Sequence, residues 1–456
     1  MSGRWMHPGG RPGAGSSPRW PGLAMGLLAA GAGARAMACD TIACGHDHAG
    51  HAAFVAGSPW SAGNTGSPSD GPTIGNTLTW SIVPDGTPIV AQQTARGEVD
   101  GPSDLIASLD ALHGAGPGGS DLTQRPWFGI FESAIERWDE LSGLTLTYEP
   151  HDDLAPVESN GAPGVPGVRG DLRLSGHPID GTTLPTILAY NFFPGTGGDM
   201  VIDTEQTLFF GPTPDNHLAT RNIIAHEIGH GLGLQHESLP EHNALMEASL
   251  SVAFDGPQFD DILGIQSLYG DRFDAGAGND RLEDATDLGV LSPGQSAAVG
   301  THAADTTVVT PDLWDFVTVG QGDADFFRFE LDEAGWVDLT VTPRGPEYPV
   351  GAAGEAVVFD AEAQADLFLL LDDVATGERL SFSNDAGLGE PESLEGVWLE
   401  AGAYSAIVLG NGETQAYELR VAFVPEPAVA AIVSLALVAG GRRSRWISRA
   451  AAAARR

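Results

Sequence analysis

The residues best equipped for chemistry lie together near the middle of the chain, as His226-Glu227-Ile228-Gly229-His230-Gly231-Leu232-Gly233-Leu234-Gln235-His236. His226 and His230 are four apart, so a helix places both imidazoles on one face, one turn above the other. Gly233 follows three residues after His230, where a residue without Cβ lets the helix stop and the chain reverse. That reversal brings His236 back as a third nitrogen donor. Three nitrogens leave one position of a tetrahedral Zn2+ open to water, which is the catalytic and not the closed structural arrangement. Glu227 stands beside the first donor and reaches the open position as a general base without ligating. The chemistry implied is hydrolysis by a metal-activated water.

Elements that could position these groups are legible on either side. A strand alternates Leu78, Trp80 and Ile82 and stops at Pro84-Asp85-Gly86. Pro126 opens a helix whose apolar positions Phe128, Phe131, Ile135, Trp138 and Leu141 recur at three and four residues before Gly143. Leu144, Leu146 and Tyr148 alternate as a second strand, and Leu172 and Leu174 mark a third. Short strands are expected at Ile187–Phe193 and Met200–Ile202, the latter as the edge that would align an extended substrate beside the metal helix. That helix is expected from about Ala219 to Leu232. The order describes an α+β domain over residues 73–270.

The extended histidine motif, with Ala244-Leu245-Met246 downstream, resembles the matrixin-like metzincins. The resemblance implies a mixed sheet, a zinc helix and a methionine turn at Met246 passing beneath the ligands. Asp260-Asp261-Ile262-Leu263-Gly264-Ile265-Gln266-Ser267-Leu268-Tyr269-Gly270 resembles the closing helix of that family. Pro178–Gly181 and Gly197–Asp203 resemble its loops for a structural Zn2+ and a Ca2+, which implies a calcium site on Asp180 and Asp203 with Glu205 as a displaced partner. Tyr190 and Val201 stand where that family usually has histidines, leaving only His177, so a second zinc is not expected. His217 and His242 have no place in the motif.

Beyond residue 270 the helical period vanishes. Alternating runs at Phe327–Leu331, Val337–Val341, Leu367–Leu371, Gly396–Leu399, Tyr404–Leu409 and Tyr417–Val421 predict an all-β sandwich over residues 279–423. Asn279–Leu288 and Gly322–Phe327 loosely resemble the opening of bacterial pre-peptidase C-terminal domains. A single copy of Gly276-Ala277-Gly278-Asn279-Asp280-Arg281-Leu282 imitates a calcium-binding β-roll repeat. Such repeats work only when stacked, so the copy is expected to be a linker. The sandwich carries no histidine or cysteine cluster and is expected to be dispensable for cleaving short peptides.

Charge and the two ends set the compartment. The chain holds 61 Asp and Glu against 22 basic residues, every one of them Arg, and ten of those lie at the ends. Such an acidic surface repels phosphate backbones and excludes a nucleic-acid partner. Residues 1–38 read as a secretory signal peptide: Arg4, Arg11 and Arg19, an apolar run from Leu23 to Ala34, then Ala36-Met37-Ala38. Residues 39–72, rich in Gly, Ser, Pro and His, read as a flexible linker. At the other end, residues 424–446 resemble a PEP-CTERM sorting signal: Pro425-Glu426-Pro427, an apolar stretch to Gly441, then Arg442, Arg443 and Arg445. The resemblance implies transient inner-membrane retention and processing by an exosortase-type enzyme. The expectation is an exported, cell-surface or extracellular zinc metalloendopeptidase acting on a protein or peptide. The alternative is a non-catalytic surface or matrix protein using the sandwich for adhesion or polysaccharide binding.

Overall fold

A computed structural model describes residues 54–60, 77–237, 239, 243–303, 308–320, 322–350 and 357–425. The signal peptide, most of the linker, His242 and the sorting signal beyond Pro425 lie outside these residues. No helix among the described residues is long and apolar enough to cross a membrane.

Five strands form the sheet of the N-terminal half: β1 (Thr77–Ile82), β2 (Thr145–Tyr148), β3 (Leu172–His177), β4 (Ala189–Asn191) and β5 (Met200–Asp203). Their spatial order is β2-β1-β3-β5-β4. The first four in that order run parallel, and β4 closes the sheet antiparallel to β5. The substrate-aligning edge expected at Met200–Ile202 is therefore misplaced: β5 is paired on both sides, and the strand at the edge is Ala189–Asn191. Short apolar runs look alike in sequence whether central or at an edge, since pairing partners are not encoded locally.

Strand periodicity sorts the side chains between two cores. Leu78, Trp80, Ile82, Leu172, Leu174, Met200 and Ile202 face the helices. Val201 and Tyr190 join a smaller apolar cluster with Val83, Ile89, Val157 and Ile187. The main core is filled by α2 (Phe128–Glu140) and α3 (Leu218–Leu232), with Trp127, Phe131, Trp138, Ile224 and Ile228 fully or almost fully buried. A further helix, α1 (Leu105–His113), buries only Leu105 and Leu109, one turn apart, and escaped the sequence reading because it is short and its apolar face is narrow. The last helix of this half, α4, spans Phe259–Tyr269.

Residues 54–60 correct the linker boundary. Ala56 bridges Leu234, the Gly57 N–H donates to Gly233 O at 2.8 Å, and Gln235 N donates to Val55 O at 2.9 Å. Trp60 is buried, its indole N–H donating to Gly231 O at 2.8 Å and its backbone N–H to Tyr269 Oη at 3.1 Å. This part of the tract is a strap on the N-terminal half.

Two facing sheets make the C-terminal half. One has the order β8 (Thr318–Val319), β17 (Gln415–Val424), β10 (Gly335–Pro343), β15 (Glu392–Leu399), with β7 (Ser296–Val299) also on β17. The other has the order β14 (Arg379–Ser383), β13 (Leu367–Asp373), β16 (Gly402–Gly410), β9 (Ala324–Leu331), β6 (Thr286–Leu291). Phe327, Phe329, Val337, Leu339, Leu369, Val408 and Leu419 meet between them. A separate antiparallel pair, β11 (Glu347–Val350) with β12 (Val357–Asp360), places Tyr348 and Val350 in a cluster with residues of α4.

The two halves share a core. Phe259, Ile262 and Leu263 of α4 pack with Ala303, Val309, Phe316, Tyr348 and Val350 from the C-terminal half. Around this apolar contact Arg137 donates to Leu313 O at 2.6 Å, Tyr348 Oη donates to Asp260 at 2.7 Å, and Arg272 pairs with Asp315 at 2.9 Å.

Candidate metal centre

The helix α3 carries His226, Glu227 and His230, all buried, and stops as the spacing predicts. Gly233 takes φ 109°, a left-handed conformation that disfavours any residue with a Cβ, and its N–H donates to His230 O at 3.0 Å. A Cβ there would also stand 2.8 Å from Ser58 O of the strap. The reversed chain returns His236 to the other two histidines. One nitrogen from each of His226, His230 and His236 lies within 4.8 Å of the others.

Backbone carbonyls fix the rings. His226 Nδ1 donates to Leu245 O at 2.7 Å and His230 Nδ1 to Leu234 O at 2.8 Å. A carbonyl only accepts, so Nδ1 carries the proton in both rings and each Nε2 keeps its lone pair. His226 Nε2 and His236 Nε2 stand 3.3 Å apart. Burial, reinforced by the neighbouring His236, lowers the His226 pKa to about 3. Burial lowers His236 to about 4 and, with the other two rings, holds His230 well below its ordinary value. Three neutral imidazoles with converging lone pairs are the donor set that Zn2+ takes, and the residues present fit it.

Met246 lies beneath this helix. A Cβ on Gly229 would meet Met246 Sδ at 2.5 Å, so only glycine lets the sulfur approach this closely. The turn around Met246 is itself held: Leu245 N and Met246 N donate to Asp261 at 2.6 and 2.9 Å, and Glu237 N donates to Met246 O at 2.9 Å. Asp261 was legible in the sequence only as part of the closing helix. Its role depends on two backbone N–H groups far away in sequence, and no local signal announces that.

The candidate calcium residues do not converge. Asp180 pairs with Arg96 at 3.1 Å and accepts from Thr186 Oγ1 at 2.6 Å. Asp203 accepts from Gln206 Nε2 at 3.0 Å and from the Ile179 and Glu205 N–H groups. Among the described residues, no trio containing Asp180, Asp203 and Glu205 brings ligand atoms within 4.8 Å. The guanidinium of Arg96 thus already faces one of the three carboxylates named for calcium. The second-zinc positions are likewise filled by other bonding. His177 Nε2 lies 2.6 Å from Glu98 Oε1, and Tyr190 Oη donates to the same oxygen at 2.9 Å. All three side chains are buried, and Val201 offers no donor.

At the junction of the halves, Asp271, Asp274 and Asp325 form one close carboxylate trio, and Asp274, Asp280 and Asp323 another. Burial first, and mutual repulsion second, raise the pKa of Asp274 and Asp325. The stretch expected to be a linker thus lodges Asn279 and Asp280 in a packed acidic cluster.

Residues 120–270 match the family profile described as Matrixin. Curated relatives include stromelysin-2 of Rattus norvegicus, 32% identical over 154 residues that cover 33% of this chain and 30% of the relative. Matrix metalloproteinase-15 of Homo sapiens is 32% identical, over 32% of this chain and 22% of the relative. Stromelysin-3 of Homo sapiens is 30% identical over 231 residues, 46% of this chain and 43% of the relative. The chain thus spans less than half the length of these relatives. Among solved structures, the pre-peptidase C-terminal domain of a collagenase from Bacillus anthracis aligns at 12% identity and TM-score 0.19, covering 30% of this chain and 95% of that one. Residues 120–270, which are similar to a matrixin domain, thus lie in a half of mixed sheet and helices, and a strand-rich C-terminal region follows.

Proposed function

We propose that the protein is an exported zinc-dependent metalloendopeptidase, with the metal held by His226, His230 and His236. The observation that carries this reading is the convergence of three neutral imidazoles whose Nδ1 atoms, in His226 and His230, are already committed to carbonyls. When bound, the zinc supplies Lewis acidity toward the scissile carbonyl and lowers the pKa of water in its open position toward about 7. Glu227 takes the proton of the attacking water and delivers it to the leaving nitrogen. Its burial within α3 keeps the carboxylate from being spent on bulk solvent.

The substrate is an extended peptide aligned along β4, the antiparallel edge strand. That edge sits tight against the metal helix: a Cβ on Gly231 would stand 2.8 Å from Asn191 Nδ2. Export rests on the sequence of residues 1–38, and transient membrane retention with exosortase-type processing on residues 424–446. The matrixin match over the catalytic half does not favour a purely adhesive role. The test is digestion of casein and of a quenched fluorescent peptide by purified protein. Activity should vanish with a chelator and return with zinc; activity indifferent to the chelator overturns the reading.

A further inference from the structure

The metal helix is held from below by a relay of hydrogen bonds that starts in the C-terminal half. Val309 N donates to Gln258 Oε1 at 2.9 Å, and Gln258 Nε2 donates back to Val309 O at 3.1 Å. Both residues are buried. Gln258 caps the N-terminus of α4, and its own N–H donates to Asp261 Oδ2 at 2.7 Å. The two oxygens of Asp261 then hold Leu245 N and Met246 N, and Leu245 O holds His226 Nδ1. Val309, Gln258, Asp261, Leu245 and His226 are therefore joined without a gap. At the residue before Asp261, Tyr348 of β11 donates to Asp260 at 2.7 Å and packs edge-on against Phe259, ring centroids 6.3 Å apart.

Neutral amide pairing of both the donor and the acceptor of one backbone unit fixes a side chain more narrowly than a single contact does. Leaving Val309 N–H or O unpaired in this buried place costs the desolvation of a polar group that nothing repays. The pairing therefore persists as long as the halves remain together. Its far end is the carbonyl that sets the tautomer and orientation of the His226 ring, and ring orientation tunes a metal ligand.

We propose that Gln258 is a positioning residue through which the β-sandwich sets the floor of the metal centre, so that the C-terminal half is part of the catalytic unit and not a detachable accessory. The inference rests on the metallopeptidase reading above. Two variants of the full chain test it: Gln258→Leu, which keeps the volume but breaks both bonds to Val309, and Tyr348→Phe, which removes only the neighbouring hydroxyl tie. Hydrogen exchange at the Leu245 and Met246 amides reads the relay with no metal bound. Gln258→Leu should speed it about tenfold or more while the sandwich amides stay protected. With cobalt in place of zinc, the visible bands of the His-ligated ion should shift. Turnover of a short peptide should show kcat falling about tenfold or more with KM within about twofold, as expected when a group is displaced and binding is not.

If Gln258→Leu does not fold, Tyr348→Phe serves with the same readouts and a smaller change of the same sign. Unchanged exchange at Leu245 and Met246 together with an unchanged cobalt spectrum overturns the proposal, as does a rise in KM alone. A wild-type chain that cleaves nothing sinks the function proposed above, yet leaves the exchange measurement able to decide this one.

Discussion

Nδ1 of His226 and the carbonyl oxygen of Leu245 stand 2.7 Å apart, while the N–H of the same Leu245 is bound to Asp261. One peptide unit on either side of Leu245 thus ties the first imidazole to the closing helix, 35 residues further along the chain by position 261 against 226. A ring held this way offers its Nε2 in one direction before any ion arrives, and the site spends little ordering itself on binding.

His236→Ala should abolish tight zinc binding. Two nitrogens on one helix face do not complete the donor set that a stable site needs. Elemental analysis of the purified variant should find under about one tenth of the wild-type metal. Stoichiometric zinc in the variant would remove His236 from the ligand set.

Glu227→Ala should keep its zinc and lose turnover by about a hundredfold to ten-thousandfold, since the proton carrier is gone while the three imidazoles stay. Metal content and peptide cleavage measured on one sample separate the two effects. Cleavage at the wild-type rate would show that another group takes the proton.

Gly229→Ala should destabilise the protein by about 1–3 kcal/mol, because the new methyl enters the space of Met246 Sδ. Coupling is the sharper test: adding Met246→Ala should recover part of the loss, giving a non-additive double-mutant cycle. Additive losses would mean that the sulfur is free to move aside.

Glu98 gives a pH dependence with a definite sign. Burial alone would raise its pKa above the ordinary 4.5. Hydrogen bonds from His177, the Gln93 N–H, Tyr190 and the Gln92 N–H outweigh burial and hold it lower. A carboxylate depressed on folding contributes stability that is present above its unfolded pKa and is lost as pH falls through its folded pKa. Thermal melts between roughly pH 3 and 6 should therefore show wild-type stability falling in acid more steeply than that of Glu98→Gln. Parallel curves would mean that the trio around Glu98 does not titrate with folding.

The C-terminus makes a prediction from sequence alone. The apolar stretch from Ala428 to Gly441 is short of the roughly 20 residues that cross a bilayer, and arginines follow it. Mature protein recovered from its native host should end near Pro427 by mass spectrometry. A terminal peptide that includes Arg456 would replace processing by a lasting tail anchor.

The metal helix, its glycine stop, the strands around Trp80 and Leu172, and the β-pattern after residue 320 were legible because each writes its period or its turn chemistry into consecutive residues. What stayed hidden depends on partners far away in sequence. Gln258 looks like an ordinary residue before a helix until Val309 is placed beside it. Trp60 looks like part of a Gly/Ser/Pro tract until Tyr269 is placed beside it. Asp180 looked free for calcium because Arg96 could not be seen to face it. The edge strand was misassigned for the same reason, since the order of strands in a sheet is a property of the assembled chain.

The bond from Trp60 to Tyr269 joins residues 209 positions apart, close to the first and last residues of the catalytic half. Chain ends are where folded proteins fray and where exopeptidases and nicking enzymes begin. Here the leading end is stitched to the trailing helix, and the turn between His230 and His236 is stitched to both. At the strap a digesting enzyme meets a backbone that opens only when the helix end opens too. Erosion of the chain at the strap is thereby coupled to opening of the helix that carries His226 and His230.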